Sequence, residues 1–230
     1  MSAPDPVAAL ARRLEAVRDR VVSAGGDLAR VRVVAVTKGF GAPAVREALA
    51  CGVVDLGENY ADELVEKVSA VRGASGAGPR WHFLGSVQRN KVARLAPHVT
   101  LWQSVDRVEE GAAIARPAPG AAVLVEVDTA GRAGRGGVTP GEVPSLVSAL
   151  GELALDVRGL MTVAPPLDAG TAAVDRAFAE LAELVARLGL AEASMGMSDD
   201  LELAVRRGAT IVRVGRALFG PRRVPRPVPQ

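Results

Sequence analysis

Eight short apolar runs recur along this chain, each followed by a stretch with helical periodicity, and that succession limits the fold more than any other feature. The runs cover 31–36, 53–56, 81–84, 99–102, 121–127, 155–160, a short one at 192–194, and 211–214. Strands buried on both faces read as continuous apolar runs, and parallel neighbours need a crossover, usually a helix. Helical patterns fill the gaps, among them 43–50 closed by Gly52 and 174–188 closed by Gly189. Eight such units in 230 residues predict a (β/α)₈ barrel, a fold that typically takes about 250. A doubly wound sheet of fewer strands is the rival, disfavoured because no GxGxxG turn follows the first run. Ahead of the barrel, Asp5 and Pro6 read as the cap and first residue of an extra helix. Val7, Leu10, Leu14, Val17 and Val21 line its inner face, and Gly25-Gly26 ends it.

No composition shift divides the chain, which predicts one domain over 1–220 and a disordered Pro/Arg-rich tail over 221–230. Two glycine-rich stretches, 73–78 and 131–137, read as surface loops. The longest run without a charged residue is eleven, 95–105, and it contains a proline. A spanning helix needs roughly 18 or more apolar residues, and the first twenty residues carry acids and arginines where a signal peptide needs an apolar core. The expectation is a cytoplasmic protein with no membrane partner. One cysteine, Cys51, excludes an internal disulfide, and two histidines, His82 and His98, argue against a zinc site. The pI of 9.1 does not imply nucleic-acid binding. The net charge is +2, and removing the three tail arginines, Arg222, Arg223 and Arg226, leaves −1.

The 28 basic residues include only three lysines, Lys38, Lys67 and Lys91. Lys38 ends the first run, VRVVAVTK, where burial at a barrel mouth disfavours the ammonium and frees the amine as a nucleophile toward aldehydes; a snorkelling strand-end lysine is an equal alternative. Lys67, inside a polar helix over 59–70, reads as a surface residue, and Lys91 as solvated. The last run, TIVRVG, leads through Gly215 into Arg216-Ala217-Leu218-Phe219, a strand-to-helix turn able to cradle a phosphate. The seventh loop, SMGMSDD, adds the Ser198 hydroxyl, which alternatively serves as a plain helix cap. Alternation aims Arg213 into the barrel. A lysine, a phosphate cradle and an interior arginine at one mouth suit a phosphorylated aldehyde, of which pyridoxal 5′-phosphate (PLP) is the commonest.

AVTKGF, DLGENYADELVEK, WHFLGSVQRNK, GLMTVAP, SMGMSDDLELAVRRGAT and VRVGRALFG, in this order over 31–220, resemble the pyridoxal phosphate homeostasis proteins. The resemblance implies an alanine-racemase-type barrel without the racemases' second domain. It implies Lys38 as the Schiff-base lysine, with Asn59 and His82 around the cofactor. Arg213 would face the pyridine nitrogen, and Ser198, Gly215 and the following residue, here Arg216, would hold the phosphate. The implied role is to bind, buffer and deliver PLP, as a monomer, with apo PLP-dependent enzymes as recipients. Two positions depart from the family pattern: Arg216 stands where a threonine is usual, and Arg89 where a small polar residue is usual.

Two other functions compete. One is an amino-acid racemase: PLP enzymes needing a strong electron sink place an acid against the pyridine nitrogen, and racemases of this fold use a tyrosine as base opposite the lysine. Arg213 opposes the first, and the single tyrosine, Tyr60, is expected at a helix start. A phosphate-binding barrel enzyme using Lys38 without a cofactor is the third, and a colourless protein would favour it.

Overall fold

The computed structural model describes residues 5–73, 78–131 and 136–221. The inner parts of both glycine-rich loops, including Arg132 and Arg135, and the tail from Arg222 lie outside the described residues. Eight parallel strands close into a barrel in chain order: β1 Arg32–Val36, β2 Asp55–Glu58, β3 Arg80–Phe83, β4 Val99–Val105, β5 Ala122–Glu126, β6 Asp156–Met161, β7 Glu192–Ser194 and β8 Ile211–Val214. The seam is β1 against β8, with Arg32 opposite Ile211 and Ala35 opposite Val214. Around it among the described residues run α1 Pro6–Ser23, α2 Ala42–Ala50, α3 Ala61–Ala70, α4 Val92–Leu95, α5 Val108–Ala115, α6 Val143–Glu152, α7 Thr171–Arg187, α8 Leu201–Arg206 and α9 Arg216–Phe219. None is long and apolar enough to cross a membrane.

The capping logic holds at α1, where Asp5 Oδ1 accepts the Val7 N–H at 3.0 Å and Pro6 begins the helix. Its inner face of Leu10, Leu14, Val17 and Val21 is buried against α2, α8 and α9. Arg20 pairs with both Glu202 carboxylate oxygens at 2.6 and 2.8 Å, and Arg13 donates to the Leu218 carbonyl at 3.1 Å. The extra helix therefore braces the outside of the β8–α9 turn.

Strand β2 lies two residues beyond the expected run, at Asp55–Glu58. Val53 is occupied in closing α2: Gly52 takes φ +76, and the Val53 N–H returns to the Ala48 carbonyl at 2.9 Å. The strand then continues through charged residues that an apolar pattern does not register. Similarly, β4 runs on through the buried Gln103 and Ser104.

Two apolar layers result. The larger lies between strands and helices and includes Trp102, Phe178, Leu181 and Ile114; the smaller fills the barrel with Val34, Leu101, Ala122, Leu124, Met161 and Ile211. Alternation assigns the sides: Val34 faces in and Ala35 out on β1, and Ile211 in and Val212 out on β8. The same alternation carries Thr37 outward toward α3 and Lys38 to the barrel mouth.

Candidate functional site

A cavity of about 690 Å³ opens at the C-terminal ends of the strands, where barrels of this kind place their chemistry. Lys38, Asn59, Ser198, Arg213, Gly215 and Arg216 all line it, joined by Glu126 and the side chains of Phe40, Leu84 and Met161. His82 does not.

Lys38 sits in a tight turn. Thr37 accepts the Phe40 N–H at 2.9 Å, and Gly39, the third residue of the turn, takes φ +75, the left-handed conformation a type II turn requires at that place. Phe40 then packs on Phe219 with ring centroids 5.3 Å apart, joining the first loop to α9. Asn59 follows β2, and its Oδ1 is buried without a protein partner. Its backbone is held against Gly85, where a Cβ would lie 1.9 Å from the Asn59 carbonyl oxygen. Only glycine fits there.

On the far side, the seventh and eighth loops meet through Ser198, whose Oγ accepts the Ala217 N–H at 3.1 Å. Ser198 is not the cap of α8. Asp200 holds that position, and its Oδ1 accepts the Met197 N–H at 2.5 Å. Arg216 is exposed and ion-pairs with Asp199, so this acid faces a cation rather than the cavity alone. A Cβ on Gly215 would approach the Val36 carbonyl oxygen at 3.2 Å, which leaves little room for a side chain between β1 and β8.

Arg213 is buried and held on two sides, donating to Ser194 Oγ and to the Thr162 carbonyl, both at 2.7 Å. Burial lowers its pKa to about 10, so it remains a cation at neutral pH. Beneath it a relay crosses the barrel. Ser194 accepts from Arg213 and passes its own proton to Gln103 Oε1 at 2.6 Å. That leaves the Gln103 amide nitrogen to donate to His82 Nδ1 at 2.7 Å, and His82 Nε2–H to donate to Asp55 Oδ1 at 2.9 Å. The pattern assigns a neutral His82 protonated on Nε2. Asp55 also receives Arg80. Burial raises the Asp55 carboxyl, but the hydrogen bonds from His82 and Arg80 outweigh it and hold the group below the ordinary carboxylate range. His82 thus reaches the cavity only through Gln103, Ser194 and Arg213.

Glu126 ends β5 inside the cavity, a position that a charged residue inside the apolar run 121–127 signals in the sequence. Burial, reinforced by the nearby Asp106, pushes its carboxyl up to about 7, against the opposing pull of Arg213.

The expectation that Lys67 is a surface residue is overturned. Lys67 is 3% exposed, on the inner face of α3 with Glu63 one turn before it. Its Nζ donates to Glu58 Oε1 at 2.5 Å, to the Thr37 carbonyl at 2.8 Å and to Glu63 Oε2 at 3.2 Å. Thr37 Oγ1 also donates to Glu58 Oε1, at 2.5 Å. Burial pushes the Glu58 carboxyl up, and the Lys67 cation opposes that shift. Alternating polarity along α3 hides this contact, because the two carboxylates that receive the lysine come from one strand and one turn of helix. Lys91, as expected, is on the solvated side and pairs with Asp62 at 3.0 Å. Tyr60 stands at the cap position of α3, 38% exposed.

The alanine racemase N-terminal domain matches residues 7–223. The pyridoxal phosphate homeostasis protein of Pseudomonas aeruginosa is 42% identical over 213 residues, covering 90% of this chain and 91% of the relative. That of Deinococcus radiodurans is 41% identical over 211 residues, covering 90% and 97%. Among solved structures, PipY of Synechococcus elongatus with PLP bound is 30% identical with a TM-score of 0.76, covering 92% of this chain and all (100%) of that one. Alanine racemase from Oenococcus oeni shares the fold at a TM-score of 0.72 and 17% identity, with 94% of this chain matching 63% of that one.

Proposed function

This chain belongs to the pyridoxal phosphate homeostasis proteins, built on the alanine racemase N-terminal domain, and from that premise we propose that it captures PLP through Lys38, buffers it and delivers it. The observation that carries the reading is that one cavity gathers the chain's strand-end lysine, a buried cationic arginine and the Ser198–Gly215 loop pair. These residues fit the cofactor. The buried Asn59 Oδ1 lacks a protein donor, and the close approach at Gly215 keeps a side chain out of the phosphate position. When bound, PLP supplies an aldehyde that condenses with an amine and releases water.

The protein's own residues have distinct tasks in this scheme. Lys38 offers its amine from the turn 37–40. Ser198 and the backbone of residues 215 and 216 hold the phosphate, and the exposed Arg216, paired with Asp199, adds positive charge at its rim. Asn59 accepts a hydrogen bond from the ligand's polar edge. Arg213, pinned by Ser194 and Thr162, presents a cation that remains charged at neutral pH to the pyridine nitrogen. His82 acts on the cofactor at one remove, by ordering the relay beneath Arg213.

A cation at that nitrogen disfavours its protonation, but PLP enzymes pair this nitrogen with either an acid or an arginine, so the preference for a carrier over a racemase is supported by the homeostasis proteins this chain resembles. Tyr60 does not line the cavity, so among the described residues no tyrosine stands opposite Lys38. The protein is in this reading a cytoplasmic monomer whose recipients are apo PLP-dependent enzymes. The test is to mix the purified protein with PLP, record the absorption spectrum, and add an apo-enzyme. A Schiff-base band that decays as the recipient gains activity supports the reading. Racemisation of alanine or serine at about 1 s⁻¹ or faster overturns it.

A further inference from the structure

We propose that Lys67 and Glu63 are positioning residues for Lys38, forming a buried ionic clamp on the main chain at both sides of it; this rests on the reading of Lys38 as the cofactor lysine. Lys67 Nζ holds the carbonyl of Thr37, the residue before Lys38, at 2.8 Å. Glu63 Oε2 accepts the N–H of Gly39, the residue after Lys38, at 2.9 Å, and the same oxygen receives Lys67 at 3.2 Å. The turn that carries the nucleophile is therefore tied at both ends to a single buried cation.

Three features indicate that the arrangement serves the turn rather than merely filling space. The Thr37 carbonyl already closes the turn with Phe40, so the lysine adds a second bond to the atom that fixes it. The clamp recruits the Thr37 hydroxyl as well, through Glu58 Oε1 at 2.5 Å, so Thr37 is held by both its main chain and its side chain. The cluster also keeps a cost that simple packing would remove: Glu58 Oε2 is buried with no partner, and two carboxylates face one ammonium. A buried ion pair stabilises weakly at best against well-packed apolar residues, so its retention is better explained by the geometry it imposes.

The lysine itself is informative. Three acceptors converge on one point from a strand, a turn and a helix, which suits a compact ammonium with three donors, whereas a guanidinium is a flat fork. In a chain whose 28 basic residues include three lysines, this position is one where arginine does not serve. The consequence for chemistry is orientation. With the turn fixed, the Lys38 Cα–Cβ bond has one direction, and only the side-chain torsions remain to be set when its amine meets an aldehyde. A misplacement of about 1 Å costs on the order of 10²-fold in reactions that depend on approach geometry.

The experiment compares two ligands. PLP requires Lys38 for covalent capture, while pyridoxine 5′-phosphate has an alcohol in place of the aldehyde and binds through phosphate and ring contacts alone. Glu63→Ala frees the Gly39 N–H while leaving Lys67 paired one-to-one with Glu58, and Lys67→Arg keeps the charge but not the geometry. Both variants are expected to lose roughly 10- to 100-fold in covalent capture of PLP, read by the Schiff-base absorbance, and to bind the alcohol within about threefold of wild type. Glu63→Gln, which keeps a carbonyl for Gly39, should restore capture, and Asp62→Ala on the exposed face of α3 should change neither ligand. Unchanged capture in folded Glu63→Ala or Lys67→Arg overturns the proposal, as does an equal loss for both ligands, which marks a purely structural role. Should neither variant fold, hydrogen exchange of the cofactor-free wild type decides. Protection of the Gly39 amide matching that of β1 supports the clamp, and exchange at the rate of an open loop overturns it. A wild-type protein that gives no adduct with PLP refutes the functional reading instead.

Discussion

Two buried polar networks stand behind the cavity, and they follow opposite plans. The network behind Lys38 is ionic. One ammonium and two carboxylates, from α3 and β2, sit outside the barrel wall and grip the main chain of the turn 37–40. The network behind Arg213 is a relay inside the barrel: a hydroxyl, an amide and a neutral imidazole, each donating to the next until the chain of protons ends on Asp55. Every link in the relay has both a donor and an acceptor. In the clamp, Glu58 Oε2 has no partner. The first network fixes a backbone and the second fixes a side chain. Strong, poorly compensated charge is spent on the residue whose Cα must not move, and modest neutral bonds suffice for a guanidinium with five donors of its own.

The contrast predicts unequal responses to damage. The largest is at Lys67. Replacing it with methionine leaves Glu58 and Glu63 buried without a counter-charge, and breaking such a cluster costs about 3–5 kcal/mol. Urea denaturation should show that loss at neutral pH, and a loss under about 1 kcal/mol would mean that the carboxylates escape to water and the clamp is loose.

A second effect, on the order of 3 kcal/mol, concerns pH and the cavity side of the relay. Glu126 has a folded-state pKa of about 7, above its ordinary value of 4.5. A carboxyl whose folded pKa is raised binds its proton more tightly in the native state, so stability falls as pH rises from about 4.5 to 7 and stays lower above it. Glu126→Gln should remove that component. The difference in unfolding free energy between variant and wild type is then expected to grow in favour of the variant across this window, and a flat difference would contradict the burial of Glu126.

Ser194→Ala is smaller still. It strands the Gln103 carbonyl oxygen and one Arg213 donor, which costs roughly 1–3 kcal/mol. It should shift the pH response of the PLP absorption band without the large loss of capture expected from Glu63→Ala. A loss of capture as large as the clamp's would erase the distinction between the networks. The smallest effect belongs to Asp62, whose pairs with Lys91 and Arg94 are exposed; alanine there should change stability by under about 0.5 kcal/mol, checked by the same denaturation.

The two networks also differ in how far the sequence reveals them. Strand β8 and the Asp5 cap follow directly from local pattern, since a cap and an apolar run each depend on neighbours in sequence. Lys38 and Arg213 are legible because a strand end and strand alternation place them at the mouth with no further information. The clamp is not. Lys67 reads as a surface residue of a polar helix, and only the packing of α3 on β2, where Glu58 points outward, turns that face inward. Strand β2 extends beyond its apolar run for the same reason, because Asp55 and Glu58 are buried by partners 25 and 9 residues away rather than by apolar neighbours. The relay escapes the pattern too, since Gln103 and Ser194 meet across 91 residues. Apolar periodicity registers burial driven by the hydrophobic effect, and both networks are buried by pairing.

The central claim is that Lys38, presented by a clamped turn, is the residue that takes the cofactor. Incubation of the whole protein with PLP, reduction with borohydride and peptide mapping by mass spectrometry test it most directly. The account predicts a single stable pyridoxyl modification, on the peptide containing Lys38, absent from Lys38→Ala. Modification concentrated on Lys91 or Lys67, or an unchanged adduct in Lys38→Ala, would contradict it.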